Sequence, residues 1–112
     1  MTTESSERPV LDTLVAMTAE SVARCQLDAN SFLAARIAAL AAVGAPAASY
    51  LMHVGTAMDT GVTVEQVQNI LIAVAPIIGT PRTLDAALNI TEALGVVIAV
   101  AEEELEAEEA AR

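Results

Sequence analysis

The stretch "TVEQVQNILIAVAPIIGTPRTLDAALNITEAL", Thr63 to Leu94, decides the fold because it holds two helices and the stop between them. Gln66 follows Thr63 at the three-residue spacing of a capping box, so the first of these helices is expected to begin there. Gly79 is a natural end for that helix, and Thr80 with the proline after it can cap the next one. The pattern predicts the fourth and fifth helices of the chain.

Three more helices are expected upstream. Apolar residues at three- and four-residue spacing predict an amphipathic helix from about Pro9 to Leu27. Asp28 or Asn30 can cap a second helix that stops at Gly44, and a third runs from near Pro46 to Gly61. No alternating strand pattern is present. The sequence therefore predicts an all-α, single-domain bundle of about five helices.

Both ends of the chain are acidic and outside this pattern. We expect a disordered leader over residues 1–8, a helical domain over 9–101 and an acidic C-terminal tail over 102–112. The fifth helix is expected to continue past Gly95, because one glycine costs only a little helix stability. The glutamates of the tail repel one another at the end of a helix dipole, so the tail should fray. A basic partner for it is an alternative.

Composition limits the classes of partner. Hydrophobic residues make up 54% of the 112 residues and aromatic residues only 2%, so a small domain has an aliphatic surplus to bury against copies of itself. The net charge of −10 repels a phosphate backbone, so we expect no nucleic acid. We expect no membrane contact and a cytoplasmic location, because no apolar run is long enough to span a bilayer and no secretory signal is visible.

Few side chains can carry chemistry. The lone Cys25 and the lone His53 lie in different helices and make no metal-ligand spacing, so we expect no metal. Redox pairing of Cys25 between subunits is a minor alternative. Arg82 is expected to lie at the surface, and the alternative is that it attracts an anion. Glu65 is expected to stabilise the helix dipole in the first turn of its helix, and the alternative is a catalytic role.

His53 is the first candidate for catalysis. Its helical neighbours are mostly apolar, so the ring either fills space in an interior or acts as a general acid or base. Ser49 and Tyr50 precede it by four and three residues and can reach the same helix face. Ser49 is not expected to be a nucleophile, because the local sequence offers no orienting carboxylate and no oxyanion hole.

Arg36 is the second candidate. It is the only charged residue between Asp28 and Asp59, so its guanidinium must reach solvent or a carboxylate. A salt bridge to Asp12 or Glu20 is one interpretation. The other is a fork that binds a substrate carboxylate in a mostly apolar pocket.

Residues 27–94, and above all "LMHVGTAMDTGVTVEQVQNILIAVAPIIGTPRTLDAALNITEAL", resemble the carboxymuconolactone decarboxylase family, which includes alkylhydroperoxidase D. The matching pieces are a helical histidine, an alanine shortly after it, "GVTVEQVQNIL" and "APIIGTPRTLDAA". The resemblance implies an alkylhydroperoxidase D-like helical subunit, assembled as a homotrimer or homohexamer with active sites near subunit contacts.

The resemblance also separates two activities. The cysteine pair of the peroxidase branch falls on Pro46 and Ser49 here, and that branch's glutamate has no counterpart, so thiol peroxidase activity is not expected. The decarboxylase branch removes carbon dioxide from a carboxylated lactone without a cofactor. In that reaction His53 would be the acid or base, and Arg36, Ser49 and Tyr50 would bind substrate. The alternative is a catalytically silent oligomer that binds a small apolar ligand or a protein partner.

Overall fold

The structure is a computed structural model that describes residues 7–54, 62–95 and 109–111. Its five principal helices are α1 (Pro9–Arg24), α2 (Ala29–Val43), α3 (Ala47–Val54), α4 (Val64–Ile78) and α5 (Thr80–Leu94). Residues 109–111 add a helical turn, and the described ranges contain no strand. None of the helices in these ranges has the length and apolar character needed to cross a membrane. The predicted all-α bundle of about five helices is confirmed.

Local capping chemistry sets the start of α2. The Asp28 carboxylate accepts hydrogen bonds from the Ser31 N–H at 2.8 Å and from the Ser31 hydroxyl at 2.9 Å. These bonds favour the ionised carboxylate and hold the pKa of Asp28 below its ordinary value. Of the two candidates, Asp28 is therefore the cap. Gly44 ends α2 in the left-handed conformation at φ 70°, where a residue without a Cβ is favoured.

The predicted capping box of α4 is present. The Gln66 N–H donates to the Thr63 hydroxyl oxygen at 3.1 Å, and the Thr63 N–H donates to the Gln66 side-chain oxygen at 2.9 Å. Each residue thus satisfies a backbone donor that the first turn of a helix leaves without an intrahelical partner. The start of α4 follows from these two side chains.

Two expectations for α5 were wrong. Thr80 is not the cap: the N-cap position belongs to Gly79, whose carbonyl accepts from the Thr83 hydroxyl at 2.8 Å. The helix also does not continue past Gly95, which takes the left-handed conformation at φ 69° and ends α5 at Leu94. Glycine adopts positive φ without the steric cost of a Cβ, and here it acts as a terminator.

The core is formed by α2 to α5 and by the segment that leads into α4. Four of its members are alanines, which allow the helices to approach closely. The buried residues are Leu33, Ile37, Ala41, Ala45, Tyr50, Val54, Val62, Val67, Leu71, Ala86, Ala87, Ile90 and Leu94.

The first helix, α1, stands apart from that core. It ends at Arg24, three residues earlier than predicted, because Cys25 takes an extended conformation. None of its 16 residues is buried. Thr18 connects it to the bundle: the Thr18 hydroxyl lies 3.4 Å from Nδ1 of His53, and its backbone carbonyl lies 3.5 Å from Nη2 of Arg36.

Candidate functional site

A pocket of about 220 Å³ lies where α1, α2 and α3 meet. It is lined by Leu14, Met17, Thr18, Ser21, Arg36 and His53. The four residues from α1 recur at three- and four-residue spacing and so share one helix face. The pocket therefore combines two hydroxyls, one guanidinium and one imidazole with two apolar side chains.

Arg36 connects the three helices around this pocket. Its Nη1 donates to the backbone carbonyl of His53 at 3.0 Å, and its Nη2 lies 3.5 Å from the backbone carbonyl of Thr18, at the long limit of a hydrogen bond. The guanidinium carbon also lies 4.3 Å from the ring centroid of Phe32, one helical turn earlier. These contacts fix the guanidinium plane and occupy two of its five N–H donors.

The salt bridge considered for Arg36 does not form among the described residues. Glu20 instead pairs with Arg24, which lies four residues further along α1. Arg36 is half-buried and its polar contacts within the described chain are neutral carbonyls. Its positive charge is thus not compensated there by an acidic side chain, which suits the binding of an anion.

His53 faces the same pocket from the last turn of α3. Its Nδ1 lies 3.4 Å from the Thr18 hydroxyl oxygen, and the ring is half-buried. A hydroxyl can donate or accept, so this contact suits either tautomer of the imidazole. The contact orients the ring toward α1 and leaves Nε2 as the atom available for proton transfer.

Tyr50 lies elsewhere. It is fully buried in the core, and its hydroxyl has no hydrogen-bond partner in the described structure. Burial disfavours the phenolate and raises the pKa of Tyr50 to about 12. Its three-residue spacing from His53 does not bring it into the pocket, because α3 also packs on α5 and this side chain lies in the core.

Ser49 does not line the pocket either. It is half-buried, and its N–H donates to the carbonyl of Pro46 at 3.0 Å in the first turn of α3. The substrate-binding roles of Ser49 and Tyr50 stay predictions. Arg36 and His53 are the two predicted site residues that the structure brings together.

Sequence reasoning missed the contribution of α1. Thr18 and Ser21 supply the hydroxyls of the pocket, and Leu14 and Met17 supply its apolar wall. One signal was present: Thr18 and Ser21 interrupt the otherwise apolar face of an amphipathic helix. Nothing in the local sequence connects that interruption with a histidine 35 residues away.

The other charged candidates have structural roles. The Nη1 of Arg82 donates to the carbonyl of Ala42 near the end of α2, where backbone carbonyls lack intrahelical partners. Glu65 is exposed in the first turn of α4, where a carboxylate complements the helix dipole. Neither residue lines the pocket that holds Arg36 and His53.

A second hollow of about 240 Å³ lies between α2 and α4. Its lining is Asn30, Leu33, Ala34, Ile37, Val62, Gln66, Asn69 and Ile70. Because none of these side chains ionises near neutral pH, this hollow has no group for acid–base chemistry. The pocket at Arg36 and His53 is the better candidate site.

Comparison with known families decides the relationship. The family model described as "Carboxymuconolactone decarboxylase family" matches residues 8–93. The chain belongs to the carboxymuconolactone decarboxylase family. The family that the resemblance predicted is thus confirmed. The match begins at residue 8 and so includes α1, whereas the resemblance covered only residues 27–94. Neither the curated proteins nor the solved structures compared with the chain gave a match.

Proposed function

We propose that the protein is a cofactor-free enzyme that decarboxylates a small carboxylated, lactone-like metabolite in the pocket between α1, α2 and α3. One observation carries the proposal: the only histidine of the chain and the half-buried Arg36 line the same pocket. Membership of the carboxymuconolactone decarboxylase family supports it.

Arg36 binds the carboxylate of the substrate. Its contacts with two backbone carbonyls and with the Phe32 ring hold the guanidinium in one orientation, so little conformational freedom is lost on binding. Leu14 and Met17 offer apolar surface to the rest of the molecule. A volume of about 220 Å³ is below the range of roughly 300–1,000 Å³ that accepts drug-sized ligands, so the substrate is a small metabolite.

His53 supplies the proton. In the reaction the bond between the carboxyl carbon and the ring carbon next to the lactone carbonyl breaks, carbon dioxide leaves, and the electron pair is delocalised as an enolate onto that carbonyl. The His53 imidazolium then donates a proton to that carbon and becomes neutral, and solvent restores its proton. The Thr18 hydroxyl at Nδ1 orients the ring during this step.

The proposed substrate contacts differ from the sequence prediction in one respect. Thr18 and Ser21 line the pocket, whereas Ser49 and Tyr50 do not. We therefore assign the hydroxyl contacts with substrate to the two residues of α1. The subunit is proposed to work within a homotrimer or homohexamer, as the family resemblance implies.

A second candidate function is a catalytically silent oligomer that binds a small apolar ligand or a protein partner. The favouring observation is that Arg36 already joins α1, α2 and α3 through neutral carbonyls and an aromatic ring. Such a residue can hold helices together without any ligand. The two candidates differ in whether carbon dioxide is released.

The test is carbon dioxide release from a γ-lactone that carries a free carboxyl group on the ring carbon next to the lactone carbonyl. We expect turnover by the wild type, a fall in kcat of about 10²–10⁴-fold in His53→Gln, and a KM raised about tenfold in Arg36→Lys, which loses the planar fork. Arg24→Gln is the control, because it also removes an arginine that is exposed and outside the pocket. No release by the folded wild type would favour the silent oligomer.

A further inference from the structure

We propose that the hollow between α2 and α4 is a second ligand site, which binds a small neutral ring that carries a lactam, that is, a cyclic amide. It shares no described lining residue with the Arg36 pocket, and none of its described lining residues ionises near neutral pH. The site therefore serves for binding and not for acid–base chemistry. This inference goes beyond the proposed function, and either can fail without the other.

Carboxamide side chains are concentrated at this hollow. The whole chain has six asparagines and glutamines, and three of them, Asn30, Gln66 and Asn69, line it. Asn30 lies in the first turn of α2 and Gln66 in the first turn of α4, so the starts of both helices contribute to its polar side. A carboxamide both donates and accepts hydrogen bonds. The polar side of the hollow therefore matches a ligand group that also does both.

The capping box fixes the orientation of the Gln66 amide. Its Oε1 accepts from the Thr63 N–H at 2.9 Å, so the amide nitrogen points the other way. That nitrogen lies 3.5 Å from the Asn30 Oδ1, at the long limit of a hydrogen bond. Because the nitrogen carries two N–H groups, one of them is available to a ligand. A donor that is already held in place loses little freedom on binding.

Asn69 offers a whole carboxamide to a ligand. It follows Gln66 by three residues and so lies on the same face of α4. It is exposed, and its side chain has no hydrogen-bond partner among the described residues. A lactam holds its carbonyl and its N–H on the same side of the amide bond, which matches the oxygen and one N–H of a carboxamide. Two parallel hydrogen bonds can form with Asn69, and the free Gln66 N–H can donate to the other lone pair of the lactam oxygen.

The floor of the hollow is apolar and belongs to the core. Leu33 and Val62 are 9% exposed and Ile37 is fully buried, and the half-buried Ala34 and Ile70 complete the floor. None of these five is an exposed large hydrophobic residue, so the hollow is not part of an uncovered apolar face of the described chain. The floor can contact the CH₂ groups of a ring. A volume of about 240 Å³ suits one small ring and not a drug-sized ligand.

Charge excludes ionic ligands. The net charge of −10 repels anions, and the described lining contains no arginine or lysine to bind one. Asp28 and Glu65 already place carboxylates at the starts of α2 and α4, outside the lining, where they complement the helix dipoles. A cation in the hollow would lose water without meeting a charged partner there. A neutral ligand avoids both penalties.

The test is a nuclear magnetic resonance titration of the nitrogen-15-labelled full chain with δ-valerolactam. We expect saturable shifts of the side-chain amide signals of Asn30, Gln66 and Asn69, in the millimolar range of a ligand with few contacts. N-methyl-δ-valerolactam keeps the ring and the carbonyl but lacks the N–H, so it should bind about tenfold more weakly. No saturable shift, or equal binding of the two lactams, overturns the proposal.

A carboxamide variant tests the assigned contacts. Asn69→Leu should weaken δ-valerolactam binding about tenfold, because both hydrogen bonds to that side chain are lost. Gln68→Leu is the matched control: it removes the neighbouring carboxamide of α4, which lies outside the described lining, and should leave the affinity unchanged. Equal affinities of the two variants contradict the site.

A steric variant gives an independent check. Ala34→Leu adds a larger side chain inside the hollow and should abolish lactam binding, whereas Ala35→Leu adds the same atoms at an exposed position outside the lining and should not. Alanine and leucine are both good helix formers, so α2 should persist. Retained binding by folded Ala34→Leu overturns the proposal. If Ala34→Leu does not fold, the exposed Asn69 still decides the matter, because its replacement disturbs no core packing.

Discussion

Tyr50 is the only tyrosine of the chain, and its hydroxyl is buried without a hydrogen-bond partner among the described residues. Burial raises its pKa to about 12 from an ordinary value of 10.0, because the phenolate cannot be solvated there. The folded state thus retains its proton at a pH where the unfolded state loses it. Its contribution to stability is complete below pH 10 and is lost as the pH rises toward 12.

We predict that Tyr50→Phe removes this loss of stability at alkaline pH. At neutral pH the variant should be as stable as the wild type or more stable by about 1 kcal/mol, because an unsatisfied buried hydroxyl has been deleted. Urea unfolding of both proteins at several pH values measures how their stability depends on pH. The near-ultraviolet absorbance of the phenolate follows the single tyrosine directly, and a native midpoint near 10 would show that the hydroxyl is solvated or partnered.

The predicted and observed sites agree only in part at the residue level. Arg36 and His53 are recognisable because a charge and an imidazole stand out in an apolar stretch. Thr18 is not recognisable, because its contact with His53 depends on how α1 crosses α2 and α3. Tyr50 shares a helix with His53 at the right spacing, yet the packing of α3 against α5 directs it into the core.

The helices were predictable where short-range chemistry decides their ends. The Asp28 cap and the Thr63–Gln66 box each involve side chains only three residues apart, and both are present. Gly95 was not predictable in this way, because one glycine is compatible with a helix interior and with a helix end. The choice between them depends on packing that the local sequence does not contain.

We predict that the two halves of the capping box act together. Thr63→Ala and Gln66→Ala should each lower the free energy of unfolding by about 1 kcal/mol, and the double variant should lose less than the sum because each side chain orients the other. Gln26→Ala, at an exposed position between helices, should change stability by less than about 0.5 kcal/mol. Strictly additive losses would show that the two hydrogen bonds are independent.

The five principal helices of the described chain form a packed body of four, α2 to α5, with α1 at its side. The aliphatic surplus of the sequence predicts burial against copies of the chain, and six of the twelve large hydrophobic residues that are exposed in the described chain lie on α1. Composition alone does not indicate which helices carry the exposed aliphatic residues. The position of α1 also decides the site, because the Arg36 pocket is built between that helix and the body.

The most direct test of the account is a nuclear magnetic resonance titration of the single imidazole, that of His53. The ligands are a saturated γ-lactone with its free carboxyl group on the β carbon, where loss of carbon dioxide gives no enolate, and the methyl ester of that acid, added to the wild type and to Arg36→Met. The account predicts a saturable shift with the acid, binding at least about tenfold weaker for the ester because the charged hydrogen bonds are lost, and no acid preference in Arg36→Met. No shift with either ligand, or equal binding of acid and ester by the wild type, would contradict the proposed carboxylate pocket.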